Sequence, residues 1–230
     1  MRELIGNAHC VLFDFDGPIC SLFASRSPES IARRLRELAA ELDASALLTP
    51  ALAVSADPHE VLRGIEEQQP DPDLVRRLEE ALTREETAAA ESARPTPHAG
   101  ELLAALTAQG RKIAVVTNNS PRAVERYLRL HDLVRHVNGR VHGRTRDMAL
   151  LKPHPDPLLR ALRSTGTPAS RALMIGDTPV DLSAARSAGV PFIGYARDTA
   201  GESALREAGA RHVTRSLQRI LTLTASPTFD

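Results

Sequence analysis

Four short, largely apolar runs that do not alternate with polar residues constrain what this chain can fold into: Cys10 to Phe13, Lys112 to Val116, Ala172 to Ile175 and Val190 to Tyr195. A strand without alternation must be covered on both faces, which is the pattern of a parallel sheet lying between helices. Weaker candidates lie near Arg140 to His142 and Arg211 to Thr214. Pro121 to Leu130, Asp156 to Ser164 and Pro179 to Ala188 carry apolar residues at helical spacing between these runs. Ser120 and Thr178 stand as N-caps before prolines suited to a first helical turn. The alternation predicts an α/β fold built on a doubly wound, mainly parallel sheet.

The interval from Phe13 to Lys112 far exceeds what one crossover helix needs, so it must hold an insertion. Its text is helical in pattern. Ser27-Pro28-Glu29, Asp57-Pro58-His59-Glu60 and Asp71-Pro72-Asp73-Leu74 each open a helix with a capping residue and an acidic first turn. A short further helix is expected within Ala44 to Val54. The stretch from Arg94 to Gly100, with Pro95 and Pro97, reads as the return hinge, and Glu101 to Gln109 as the crossover helix. The expected organisation is an α/β core of residues 1–20 and 94–230 with an α-helical cap of residues 21–93 inserted.

Composition excludes more than it selects. The chain of 230 residues has 29 basic and 29 acidic side chains and 42% hydrophobic residues, so net charge gives no support for a nucleic acid or an anionic membrane as obligate partner. No uncharged apolar run reaches membrane-spanning length, and residues 1–9 lack the layout of a secretion signal. Cys10 and Cys20 have no metal-like spacing and read as reduced thiols. A cytoplasmic location is the expectation. The residues from Ala225 to Asp230 are expected to form a mobile tail.

Function is carried by what ends the strands. The first run stops on Asp14-Phe15-Asp16-Gly17, the second on Thr117-Asn118-Asn119-Ser120, and a later one on Gly176-Asp177-Thr178-Pro179-Val180-Asp181. Ligands of open parallel sheets bind beyond the carboxyl ends of the strands. Asp14 and Asp16, two residues apart, would share a face and repel, which implies a cation or a shared proton. Asp-x-Asp-Gly is also turn chemistry, and Thr117 to Ser120 also reads as a helix N-cap region; neither explains the recurrence of such clusters at successive strand ends.

These strings resemble the haloacid dehalogenase-like superfamily, and within it the phosphoglycolate phosphatase-like and β-phosphoglucomutase-like branch with a helical cap. The matching residues are Asp14-Phe15-Asp16-Gly17, Thr117, Lys152 in Leu151-Lys152-Pro153-His154-Pro155, and Gly176-Asp177 with Asp181. A D-x-D-G string arises by chance in roughly 4% of chains this long, and jointly with G-D-x-x-x-D in roughly 0.2%, so the pair carries the weight. The resemblance implies a Rossmann-like core and a phosphatase for a small phosphorylated metabolite. Asp14 would be the nucleophile that forms an aspartyl-phosphate. Asp16 would serve as general acid and base. Mg²⁺ would be held by Asp14, Asp177 and the backbone carbonyl of Asp16. Thr117, Asn118, donors around Gly17 and Lys152 would bind phosphate, with Asp181 supporting Lys152 or metal waters from behind. Only two of the 29 basic residues are lysines, Lys112 and Lys152, which singles Lys152 out where a compact ammonium suits phosphate. The family's dehalogenases and phosphonate-cleaving members lack an Asp at the place of Asp16, which counts against both reactions.

The chain departs from the family at Pro18, where Thr or Val is commoner; proline removes a backbone donor there and makes the entry angle into the cap less predictable. Arg26, Arg33, Arg34 and Arg63 could meet an anionic leaving group, against the ordinary reading of a solvated helix face. Two other functions compete. A phosphosugar mutase of the same fold finds a faint match at Arg63-Gly64, and a non-catalytic binder of phospho-ligands or proteins would normally show missing carboxylates. His154 lies near Lys152, whereas His98, His131, His136 and His142 lack metal-ligand spacing.

Overall fold

A computed structural model describes residues 1–225 of the chain. The tail expected to be mobile lies outside the described residues, apart from Ala225. Six parallel strands form the main sheet: β1 (Cys10–Phe13), β4 (Lys112–Val116), β5 (Val141–His142), β6 (Ala172–Gly176), β7 (Phe192–Tyr195) and β8 (Val213–Thr214), in the order β5-β4-β1-β6-β7-β8. The order runs outward from β1 in one direction and then in the other, so the topological switch lies beside β1. Phe13 is in register with Val115 on one side and Ile175 on the other. The residues that follow, Asp14, Thr117 and Asp177, are therefore delivered to one sheet edge.

The unbroken apolar runs have the predicted cause. Val11, Phe13, Ile113, Val115, Leu173 and Ile175 pack on one face against α1 (Arg2–Asn7), α6 (Ala99–Ala108), α7 (Pro121–Leu130), α8 (Val134–Val137) and α12 (Leu217–Ala225). Their neighbours Cys10, Leu12, Ala114, Val116, Ala172 and Met174 point the other way, against α9 (Asp156–Thr165) and α10 (Pro179–Ser187). Each strand thus divides its side chains between two cores at a period of two. Helix α11 (Thr199–Glu207) covers the β7–β8 edge with Leu205.

The long interval is helical. Helices α2 (Pro28–Glu41), α3 (Pro50–Val54), α4 (Pro58–Gln68) and α5 (Pro72–Ser92) are opened by Ser27, Thr49, Asp57 and Asp71, whose side chains accept first-turn amides ahead of a proline. Helices α2, α4 and α5 enclose an apolar cluster of their own around Ile31, Leu35, Leu62, Ile65, Leu78 and Leu82. Met148 and Leu151, from the loop after β5, complete that cluster.

Several boundaries differ from the sequence reading. The Ala44 to Val54 helix is two pieces, a 3-10 turn at Ser45–Leu47 and then α3, because Pro50 starts a new helix. The return hinge is a ribbon: β3 (Arg94–Pro95) pairs antiparallel with β2 (Cys20–Ser21), tying both crossings of the chain together. Strand β7 begins only at Phe192, because the Val190 amide is spent on the Ala185 carbonyl at the end of α10. Among the described residues no helix is long and apolar enough to cross a membrane.

Candidate active site

The strand ends meet at Lys152. Its Nζ donates to Asp14 Oδ1 at 2.8 Å, to Asp181 Oδ1 at 2.6 Å and to the Val116 carbonyl at 3.2 Å, and the residue is only 4% exposed. Its backbone is clamped by one side chain: the Lys152 amide donates to Asn118 Oδ1 at 2.7 Å, and Asn118 Nδ2 donates to the Lys152 carbonyl at 3.1 Å. The β4 end thereby fixes the lysine over the β1 end. Burial lowers the affinity of Lys152 for its proton, but the Asp14 and Asp181 carboxylates overcome this and raise its pKa.

Three carboxylates crowd this space. One oxygen each of Asp14, Asp177 and Asp181 lies within 4.8 Å of the others. Burial, aided by the Asp181 charge and opposed by Lys152, pushes the Asp14 carboxyl up to about 6. Burial together with the charges of Asp14 and Asp181 also raises Asp177 well above the usual carboxylate range. Asp181 is spoken for: beyond Lys152, its Oδ2 accepts from the Asp177 amide, the Thr178 amide and the Thr178 hydroxyl, closing the capping box of α10. Asp177 Oδ1 is buried with no hydrogen-bond partner among the described residues. A buried, unpartnered carboxylate oxygen beside a second carboxylate fits a hard cation with oxygen ligands.

Gly17 has φ +127°, and a Cβ there would lie 2.3 Å from Asp177 Cγ, so only glycine lets this turn pass the carboxylate. Its amide does not remain available to a phosphate. It donates to the Cys20 carbonyl at 2.7 Å, closing the turn over Pro18. Asp16 Oδ1 accepts from the Leu22 amide at 3.0 Å and from Arg197 Nη2 at 2.8 Å, and the same nitrogen lies 3.5 Å from Asp177 Oδ2. Thr117, 1% exposed, donates its hydroxyl to Asn119 Oδ1 at 2.9 Å.

The structure thus brings Asp14, Lys152, Asp177 and Asp181 into contact or near-contact, with Gly17 against Asp177, Asp16 at the rim and Asn118 behind the lysine. His154 is exposed, and its Nδ1 accepts the Asp156 amide at the start of α9. Arg26, Arg33, Arg34 and Arg63 pair with Glu85, Glu37, Glu37 and Glu67 inside the helical segment. A Cβ on Gly64 would lie 2.6 Å from Leu52, so the glycine of Arg63-Gly64 has a packing role between α3 and α4.

Sequence reasoning missed Arg197, which lies just beyond β7 at the same sheet edge and has no distinguishing mark among many arginines. It also missed Glu86. That residue is fully buried in α5 between Leu82 and Ala90, and a carboxylate at that spacing on an apolar face was a readable signal.

The sequence model described as haloacid dehalogenase-like hydrolase matches residues 11–195. The phosphoglycolate phosphatase of Rhodospirillum rubrum is 41% identical over 109 residues, 44% of this chain and 43% of that protein. The phosphoglycolate phosphatase of Escherichia coli is 35% identical over 98 residues, 43% of this chain and 38% of that one. The chain therefore spans about two fifths of the length of these curated relatives. The crystal structure of CbbY from Rhodobacter sphaeroides in complex with phosphate is similar at TM-score 0.66 and 25% identity, covering 93% of this chain and 96% of that one. Because the family match begins within β1 and ends with β7, it takes in Asp14, Thr117, Lys152 and Asp177 together, and the chain belongs to the haloacid dehalogenase-like hydrolases.

Proposed function

We propose that this protein is a Mg²⁺-dependent phosphatase that hydrolyses a small phosphomonoester metabolite through an aspartyl-phosphate on Asp14. The observation that carries the reading is Asp14 itself: a buried carboxylate held at 2.8 Å by Lys152, beside Asp177, one oxygen of which has no partner among the described residues. Asp14, Asp177 and the Asp16 carbonyl would hold the ion. When bound, Mg²⁺ offsets the negative charge that separates carboxylate from phosphate.

The chain's own residues supply the rest. Asp14 forms a bond to phosphorus as the bond to the leaving oxygen breaks. Asp16 gives its proton to that leaving oxygen and recovers one from the water that then attacks phosphorus and frees Asp14. Arg197 and the Leu22 amide both donate to Asp16 Oδ1, which leaves Oδ2 for these transfers. Lys152, the Asn118 amide and the Thr117 hydroxyl, once turned away from Asn119 Oδ1, meet the charge that develops on the phosphoryl oxygens. Gly17 contributes close approach rather than a donor, because its amide is bonded to Cys20. Residues 21–93 act as a cap that excludes water and selects the leaving group over a core of residues 1–20 and 94–230.

The test is phosphate release from a broad phosphoester panel with Mg²⁺ and with chelator. Release from at least one small monoester, lost with chelator, is expected. No release from any member would overturn the proposal, and conversion of a hexose 1-phosphate without net release would replace it with a mutase.

A further inference from the structure

A second polar node lies behind the Thr117–Ser120 loop, and nothing in the proposed chemistry uses it. Glu86 of α5 and Arg144 of the loop after β5 have side chains that are 0% exposed and pair through both guanidinium ends, Nη1 to Oε1 at 2.8 Å and Nη2 to Oε2 at 3.0 Å. Glu86 also accepts from His59 Nε2 at 3.0 Å, Asn119 Nδ2 at 3.1 Å and the Ser120 amide at 2.8 Å. Arg144 donates from Nη1 to the Asn118 carbonyl and from its backbone amide to the Asn119 carbonyl, both at 3.0 Å. Every residue from Asn118 to Ser120 is therefore held by one member of the pair. Asn119 passes the constraint on, since its Oδ1 receives the Thr117 hydroxyl.

Stability alone does not account for such an arrangement. A fully buried ion pair gives little net stabilisation over apolar residues of similar volume, because desolvation offsets the attraction. What it supplies is direction: the planar fork and the carboxylate fix three groups of one loop, the Asn118 carbonyl, the Asn119 side chain and the Ser120 amide, more sharply than packing would. Nor is Arg144 an anion receptor for the neighbouring cavity of about 990 Å³. All three guanidinium nitrogens are engaged, by Glu79, Thr83, Glu86 and Asn118.

We propose that Glu86 and Arg144 are positioning residues that hold the Thr117–Ser120 loop, and with it the Asn118 amide, in place for a phosphoryl group, making α5 part of the frame of the site. The ligand in this statement rests on the phosphatase reading; the ordering of the loop does not. A displacement of about 1 Å in such donors is enough to cost on the order of 100-fold in rate.

The test compares wild type with Glu86→Gln, Arg144→Lys and the apolar double variant Glu86→Leu/Arg144→Met, which removes both fully buried charges together and leaves only the partly exposed Glu79 without its arginine. Per folded molecule, the double variant is expected to lose at least tenfold in kcat, with a smaller change in KM, and to bind inorganic phosphate with Mg²⁺ at least tenfold more weakly. Arg144→Lys, which keeps the charge and loses the fork, should fall between it and wild type, and carries the test should the double variant not fold. Wild-type kcat and phosphate affinity in a folded variant would overturn the proposal. Amide exchange of Asn118 to Ser120, followed without metal or phosphate, should rise in every folded variant, and unchanged protection would also overturn it. Absence of turnover in the wild type would count against the phosphatase reading alone, because the exchange result still decides whether the pair orders the loop.

Discussion

Lys152 offers one positive charge to two carboxylates, Asp14 at 2.8 Å and Asp181 at 2.6 Å, and Asp177 adds a third negative group nearby. That imbalance ties the chemistry to single residues. Asp14→Asn removes the nucleophile and also one repelling charge, so turnover should fall by about three orders of magnitude or more while the thermal midpoint without metal holds or rises. Phosphate release and thermal unfolding on the same preparation check both halves. Asp181→Asn should lower activity by about 10- to 100-fold through misplacement of Lys152 and the α10 turn, as measured by kcat/KM. Asp14 and Lys152 stand out in the sequence, because apolar runs that stop on acids announce a ligand edge, and a rare lysine is conspicuous in an arginine-rich chain. The destination of the Gly17 amide was not legible. Whether its amide faces a ligand or the Cys20 carbonyl depends on how the turn over Pro18 closes, which no local pattern encodes.

Elements with their own start signals were the readable ones. Ser27, Asp57, Asp71, Ser120 and Thr178 each accept a first-turn amide where the sequence placed a cap. Helices α1 and α8 and the β2–β3 ribbon carry no period, being two to six residues long, and the two helices lack the proline start that marks α3. Helix α5 carries a pH signature. Burial alone would raise Glu86, yet the Arg144 guanidinium and His59 bring its carboxyl from an ordinary 4.5 down to about 2. A depressed carboxylate stabilises the fold above its unfolded value, and that contribution, on the order of 3 kcal/mol, is lost as pH falls from about 4.5 toward 2. Urea unfolding across that range should show the loss in wild type and a much flatter profile in Glu86→Gln. His59 acts at the other end: burial opposes its proton, but Asp57 and Glu86 raise its pKa above 6.5. Its contribution is complete below that value and fades as pH rises through the raised one.

At the scale of the whole molecule, the helical segment is joined to the sheet by more than its two chain crossings. Met148, 0% exposed, and Leu151 reach into the apolar cluster of α2, α4 and α5, and the Met148 amide donates to Glu66 Oε2 at 3.0 Å. Leu151 immediately precedes Lys152, so the loop that fills the helical cluster also presents the site's lysine. Met148→Ala should cost about 2–5 kcal/mol in urea unfolding, with the sheet itself untouched. The helical interval was legible from the excess length between β1 and β4 and its capping residues, whereas this contact was not, since it joins residues far apart in the chain. All of these levels converge on one carboxylate at the end of β1. Rapid acid quench during turnover with Mg²⁺ and an active phosphoester, followed by borohydride reduction and peptide mass analysis, tests it most directly. The account predicts Asp14 reduced to homoserine, with every other carboxylate intact; phosphate released at full rate from a protein whose Asp14 is never modified would contradict it.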